Sequence, residues 1–278
     1  MKFSIILATI SRYNEVVLFL DSLLKQTYKN FELIIVDQND DNKIELLCNN
    51  YIFNIQVIKS KLKGLSINRN LGLNHISGDL VAFPDDDCEY NVDTLEKVAA
   101  FFTENPEYDF CTFNTKEKNS DLSVVTSLSK DRGINQYNVM QTGISFTIFV
   151  RSFSLNSFRF DEQLGIGADF GSAEESDLVY FLLKNNNKGF YFSKNYIYHP
   201  HKPDTVEKAY LYGKGYGAIH KKAVFYYGYY LLFILFLYTL CKETVKIFIT
   251  FFSRCQIAMV KGRIYGFLHY KNKQIQNS

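Results

Sequence analysis

Three carboxylates stand in a row at Asp85, Asp86 and Asp87, directly after the apolar residues 80–84. Adjacent anions repel one another, so such a run needs positive charge close by. An acidic cluster at the end of a buried strand is a good seat for a hard divalent cation, and Mg²⁺ or Mn²⁺ takes carboxylate oxygens readily. Alternation along an extended chain puts Asp85 and Asp87 on one side and Asp86 on the other, so the first and last are the natural pair for such an ion. Taken alone, the three residues read more plainly as a solvated acidic turn or the acid-rich start of a helix.

A second acidic cluster, Glu174, Glu175 and Asp177, follows a glycine-rich stretch and opens a helical pattern. A carboxylate within hydrogen-bond reach of a hydroxyl can take its proton as a new bond forms. The competing reading is structural: Ser172 and Glu175 have the spacing of a capping box.

The elements around these residues alternate. "FSIILAT", "FELIIVDQND", "IQVIKS" and "GDLVAFPDDD" read as buried strands, with helices at "NEVVLFLDSLLKQTY", "NKIELLCNNY" and "GLSINRNLGLNHIS" between them. Strand and helix in alternation predict a doubly wound α/β sheet, with ligands at the carboxyl ends of its strands. Thr9, Asp37 and Asp85 fall at predicted strand ends and should converge on one crevice. Further on, "DTLEKVAAFFTENP" and the stretch after Glu174 read as helices, and "YDFCTFNT", "ISFTIFVRS" and "KGFYFSKNYIYHPHKP" as strands. Residues 116–137 read as a polar loop or insertion.

The last part of the chain differs. Residues 201–278 hold 12 Lys and Arg against 3 Asp and Glu, whereas the first 200 hold 19 against 26. That asymmetry suggests an anionic surface as partner. Residues 223–241 form a run of 19 without a charge, roughly 28 Å long as a helix. The following segment mixes apolar residues with Lys246, Arg254, Lys261 and Arg263. We read the two as a helical pair lying in a membrane interface, with a core helix or a true span as alternatives for the run. Nucleic acid fits poorly, because long uncharged runs interrupt the cations and no recognition motif is present. Five cysteines without CxxC spacing predict neither a zinc site nor a disulfide framework. The first residues read as a strand and not as a cleavable leader.

Several of these stretches, in this order, resemble glycosyltransferase family 2, the inverting GT-A-type sugar transferases. "SIILATISRYNE" resembles the opening strand and turn of that family, and "FELIIVDQND" its second strand. "GLSINRNLGLNHISGDLVAFPDDDCEY" matches the approach to the DxD motif, and "GADFGSAEESDLVYFLLKNN" the later acidic motif. "YIYHPHKP" and "KAYLYGKGYGAIHKK" resemble a subset acting on bacterial surface polysaccharides. Gln38 and Ala8 depart from the common pattern, where a second Asp and a Pro are frequent.

The resemblance implies a GT-A-like catalytic domain over 1–204, with a nucleotide-sugar half at about 1–110 and an acceptor half at about 111–204, then a helical, membrane-associating extension over 205–278. It implies that Thr9 and Asp37 hold the nucleoside, that Arg69 pairs with the diphosphate, that Asp85 and Asp86 lie in the nucleotide site with Asp85 facing the ribose, and that Asp87 binds Mg²⁺ or Mn²⁺. His201, or failing that His199, is a further metal or phosphate contact. Asn70 and Gly72 pack the helix behind the phosphates. Glu175 is the implied catalytic base, with Glu174 as the alternative. The implied partners are a nucleotide-sugar, a UDP-sugar first, and a glycan or lipid-linked glycan acceptor at the cytoplasmic face of the membrane. Two other classes compete: a sugar nucleotidyltransferase, which would want a glycine-rich basic loop where "ATISRYNE" has no Gly, and a catalytically silent membrane-bound scaffold.

Overall fold

The computed structural model describes residues 1–118 and 128–273. The chain runs β1 (Phe3–Thr9), α1 (Tyr13–Leu24), β2 (Phe31–Asp37), α2 (Lys43–Cys48), β3 (Asn54–Lys59), α3 (Leu65–Leu73), β4 (Leu80–Ala82), α4 (Thr94–Glu104) and β5 (Phe110–Lys116). It continues through β6 (Arg132–Ile134), α5 (Val139–Thr142), β7 (Ile148–Arg151), α6 (Glu174–Lys184), β8 (Gly189–Tyr198), α7 (Val206–Phe225), α8 (Leu231–Ile249) and α9 (Arg254–His269). Part of the loop expected over 116–137 lies outside the described residues, and its later part contains β6.

The strands form one mixed sheet in the order β3-β2-β1-β4-β7-β5-β8-β6. β1 to β4 are parallel, while β7 runs antiparallel between β4 and β5. Alternate side chains of each strand feed two cores. Ile5, Leu7, Leu33 and Ile35 pack with Phe19 of α1, Ile44 of α2 and Val98 of α4. Ile6 and Ile34 point the other way, into a core with Leu73 of α3, Leu178 of α6 and Ile219 of α7. Both faces are covered, which is the doubly wound α/β arrangement that the alternation predicts. A Cβ on Gly72 would collide with Ile6, so α3 rests closely on β1.

β4 is shorter than expected. It stops at Ala82 because Pro84 has no N–H for a ladder, and the backbone turns at once, with Cys88 N–H donating to Asp85 O at 3.2 Å. The aspartate triplet therefore sits on a turn at the carboxyl end of the strand.

The uncharged run over 223–241 is not one helix. α7 ends at Phe225, the chain turns through Gly228 at φ +81°, and α8 begins at Leu231. Its first residues, Ala223 and Val224, are buried in the core beneath the sheet, and Leu232 and Phe236 are buried on the inner side of α8. Among the described residues no helix is long and apolar enough to cross a membrane. α7 and α9 cross at backbone contact. A Cβ on Gly213 or Gly217 would strike the backbone of α9, and one on Gly262 or Gly266 the backbone of α7. Small residues four apart on both helices permit that approach.

Candidate active site

Each aspartate of the triplet meets a cation, with Arg12 shared between two of them. Arg69 of α3, 0% exposed, donates to Asp85 Oδ1 at 2.9 Å. Arg12, just before α1, reaches Asp86 Oδ1 at 3.1 Å and Asp87 Oδ2 at 2.6 Å. Asp87 also receives His199 Nε2 at 3.0 Å and the ammonium of Lys202. Burial would raise the Asp87 pKa, but His199, Lys202 and Arg12 together pull it well below the usual carboxylate range. Burial pushes Asp86 up to about 6 against the pull of Arg12.

The turn separates the three side chains. Asp86 accepts the Thr9 hydroxyl at 2.9 Å, at the tip of β1. Asp85, Asp87 and His199 can bring one ligand atom each within 4.8 Å of one another. Two carboxylates and an imidazole form a donor set that suits Mn²⁺ or Mg²⁺, with the nitrogen favouring the former. His201 does not join them: it is exposed at the rim, two residues beyond His199. His199 is held inward by stacking on Phe146, ring centroids 4.6 Å apart. Of the two histidines named from the sequence, His199 is the one that lies beside Asp85 and Asp87.

Arg69 is no free diphosphate clamp in this arrangement. It bridges the two acidic clusters, giving Nη2 to Asp85 and to Phe83 O and Nη1 to Glu174 Oε1 at 3.1 Å. Its Nε is buried without a hydrogen-bond partner among the described residues. Asp37, fully buried at the end of β2, accepts from Lys59 Nζ at 2.7 Å and from the backbone and side chain of Asn39. Asn70 clasps the 156–165 segment by exchanging two hydrogen bonds with Phe160, at 2.9 and 2.7 Å.

The second cluster faces the first. The capping box expected from Ser172 and Glu175 does not form. The residue before α6 is Ala173 at φ +77°, and no side chain caps the helix. The uncapped first turn instead presents Glu174, Glu175 and Asp177. Glu174 is buried and tied to Arg69, whereas Glu175 has no cationic partner among the described residues and lines the cavity. Burial, and then the charge of Glu174 beside it, hold the Glu175 carboxyl well above its ordinary pKa.

That cavity, about 500 Å³, collects Asp85, Ser145, Glu174, Glu175 and His199, and its far wall is made by Tyr212 and Arg263 of α7 and α9. A wider groove of about 860 Å³ between α3 and the 159–169 segment contains none of these groups.

Sequence reading missed a buried network that supports α6. Lys222 of α7 gives Nζ to Asp161 at 2.9 Å and to Asp177 at 2.8 Å. Tyr227 donates to Asp177 at 2.7 Å, and Tyr270 donates to Asp161 at 2.5 Å. Burial and the neighbouring carboxylates raise both phenol pKa values, so they remain donors. A lysine beside an apolar run carries no sequence signal of such burial. Arg12 was equally silent, because its direction depends on Ser11 turning at φ +57°.

Carboxylates at parallel strand ends, facing an acidic helix start across a cavity, define a sugar-transferase type of site on a GT-A-like sheet. The chain belongs to glycosyl transferase family 2, whose model matches residues 4–165. It is similar to the minor teichoic acid biosynthesis protein GgaB of Bacillus subtilis, 27% identical over 183 residues, which cover 61% of this chain and 19% of that one. Residues 1–349 of S. aureus TarS align with a TM-score of 0.61 and 25% identity over 78% of this chain and 65% of that one. The mannosyltransferase PcManGT of Pyrobaculum calidifontis, solved with GDP-Man and Mn²⁺, shares the fold at a TM-score of 0.68 and 12% identity, over 97% of this chain and 88% of that one. The chain spans 36% and 19% of the lengths of two curated relatives that it matches.

Proposed function

We propose that this protein moves a sugar from a nucleotide-sugar, a UDP-sugar in the first instance, to a hydroxyl of a glycan or lipid-linked glycan in cell-surface polysaccharide synthesis. It would work at the cytoplasmic face of the membrane, as a peripheral or monotopic enzyme. The observation that carries the reading is that Asp85 and His199, which lie within reach of Asp87 for one ion, line the same cavity as Glu175, a carboxylate with no cationic partner among the described residues. The UDP complex of TarS, which aligns at 26% identity and a TM-score of 0.58, supports the choice of nucleotide.

In this reading Thr9 and Asp37 lie at the nucleoside end, and Asp85 and Asp86 face the ribose and diphosphate. Asp87 and His199 would hold Mn²⁺ or Mg²⁺, with Asp85 completing the set. Such an ion supplies positive charge beside the diphosphate oxygens. Lys202 and Arg12 now neutralise Asp87, and their side chains are 44% and 34% exposed, so both can swing away. Arg69 holds Asp85 and Glu174 at a fixed separation. Glu175 takes the proton of the acceptor hydroxyl as its oxygen bonds the anomeric carbon. The bond from that carbon to the diphosphate breaks on the opposite side, which inverts the configuration.

Calorimetry with UDP tests the reading. UDP should bind the wild type far more tightly with Mn²⁺ than without it. Asp87→Asn should lose that dependence, with affinity falling on the order of tenfold or more. Equal affinity in both proteins, with and without the ion, would sink the assignment and favour a silent scaffold.

A further inference from the structure

α8 is turned inside out for a surface helix. Its inner side, Leu232 and Phe236, is buried. Its outer side should be polar. Instead Leu231, Ile234, Tyr238, Val245, Phe248 and Ile249 recur at three- and four-residue spacing over an arc of roughly 120°, every one exposed, with Ile234 at 65% and Phe248 at 64%. No acidic or basic residue interrupts that arc. Lys242 and Lys246 border it on one side.

A second observation lies at the turn into α9. Phe251 and Phe252 are both in the left-handed region, φ +49° and +60°, where bulky L residues are rarely found. They point away from the protein, Phe251 with 93% of its surface exposed. The exposed Arg254 follows two residues after Phe252. The one acid of this segment, Glu243, is already bonded to Lys246 and Gln256.

We infer that the outer face of α8 and the phenylalanine tip form a docking surface for an anionic lipid bilayer. The apolar arc enters the headgroup and acyl boundary, and Lys242, Lys246 and Arg254 meet lipid phosphates. A second copy of the chain is the weaker occupant, because two-fold pairing brings this cation-bordered face, with Lys242 and Arg254 outside any ion pair among the described residues, against its own like charge. The inference gives residues to the membrane-face placement proposed above and does not depend on the transfer chemistry.

Flotation of the full chain with vesicles tests it. Wild type should float with vesicles containing phosphatidylglycerol and much less with phosphatidylcholine alone, and added salt should weaken the binding. The double variant Phe251→Asn, Phe252→Asn should lose partitioning on the order of tenfold. Asn accepts the left-handed backbone, so this variant keeps its fold, and its hydrolysis of UDP-sugar in solution should be unchanged. Lys242→Glu should weaken binding to the anionic vesicles alone. Unchanged flotation of the double variant would overturn the inference. So would a wild-type dimer that this variant converts to monomer while neither protein binds vesicles. Undiminished hydrolysis by an Asp87→Asn variant that still floats would fail the transfer reading and leave the docking surface standing.

Discussion

Glu174 and Glu175 are neighbours in different company. Glu174 spends its charge on Arg69 at 3.1 Å, and Glu175 faces the cavity with a pKa raised by burial and by Glu174. A base with raised proton affinity removes a hydroxyl proton more readily, provided it is ionised at the working pH. Glu175→Gln should therefore keep UDP affinity and lower kcat by about a hundredfold or more, read by single-turnover transfer. Activity should fall on the acid side with an apparent pKa above the ordinary carboxylate range. Glu174→Gln removes the like charge and frees Arg69, so both effects should move that limb to lower pH. The stability sign is opposite to that of an ordinary acid. The folded chain holds the Glu175 proton above the unfolded pKa, so this contribution is present at low pH and is lost as pH rises through the folded value. At neutral pH, Glu175→Gln should melt higher than wild type in a thermal denaturation series.

At the scale of elements, local pattern explains what could be read and what could not. Buried strands announce themselves as short β-rich runs, and the aspartate triplet is a local signal at the end of one. The choice between His199 and His201 depends on stacking against Phe146, which lies more than fifty residues earlier in the chain and leaves no mark around either histidine. The capping box failed because Ala173 takes a left-handed conformation that frees the first turn of α6 to face the cavity. Hydropathy alone could not divide the uncharged run, although Gly228 among its tyrosines was the clue. The crossing of α7 and α9 rests on glycines at backbone contact. Gly217→Ala should force the helices apart and cost about 3 kcal/mol, measured by urea denaturation. Gly228→Ala, strained only in its own backbone, should cost about 1 kcal/mol.

For the whole molecule, the last seventy residues do more than trail behind a finished domain. Ile219, Ala223 and Tyr270 belong to the same core as the sheet, and Tyr212 and Arg263 wall the cavity. Lys222 lies between two buried carboxylates. Lys222→Met should cost about 3–5 kcal/mol, because it strands both charges. A chain ending at residue 204 should be insoluble or bind a dye for exposed apolar surface. A monomeric, cooperative fold from that truncation would refute the account of a shared core.

The three donors on Asp161 and Asp177 come from Lys222, Tyr227 and Tyr270. During synthesis the segment with Glu175 leaves the ribosome long before them. Under the function proposed above, a nascent chain would thus assemble its strand-end carboxylates while Glu175 still lacks a settled place, and competence for transfer is expected only once Tyr270 has emerged.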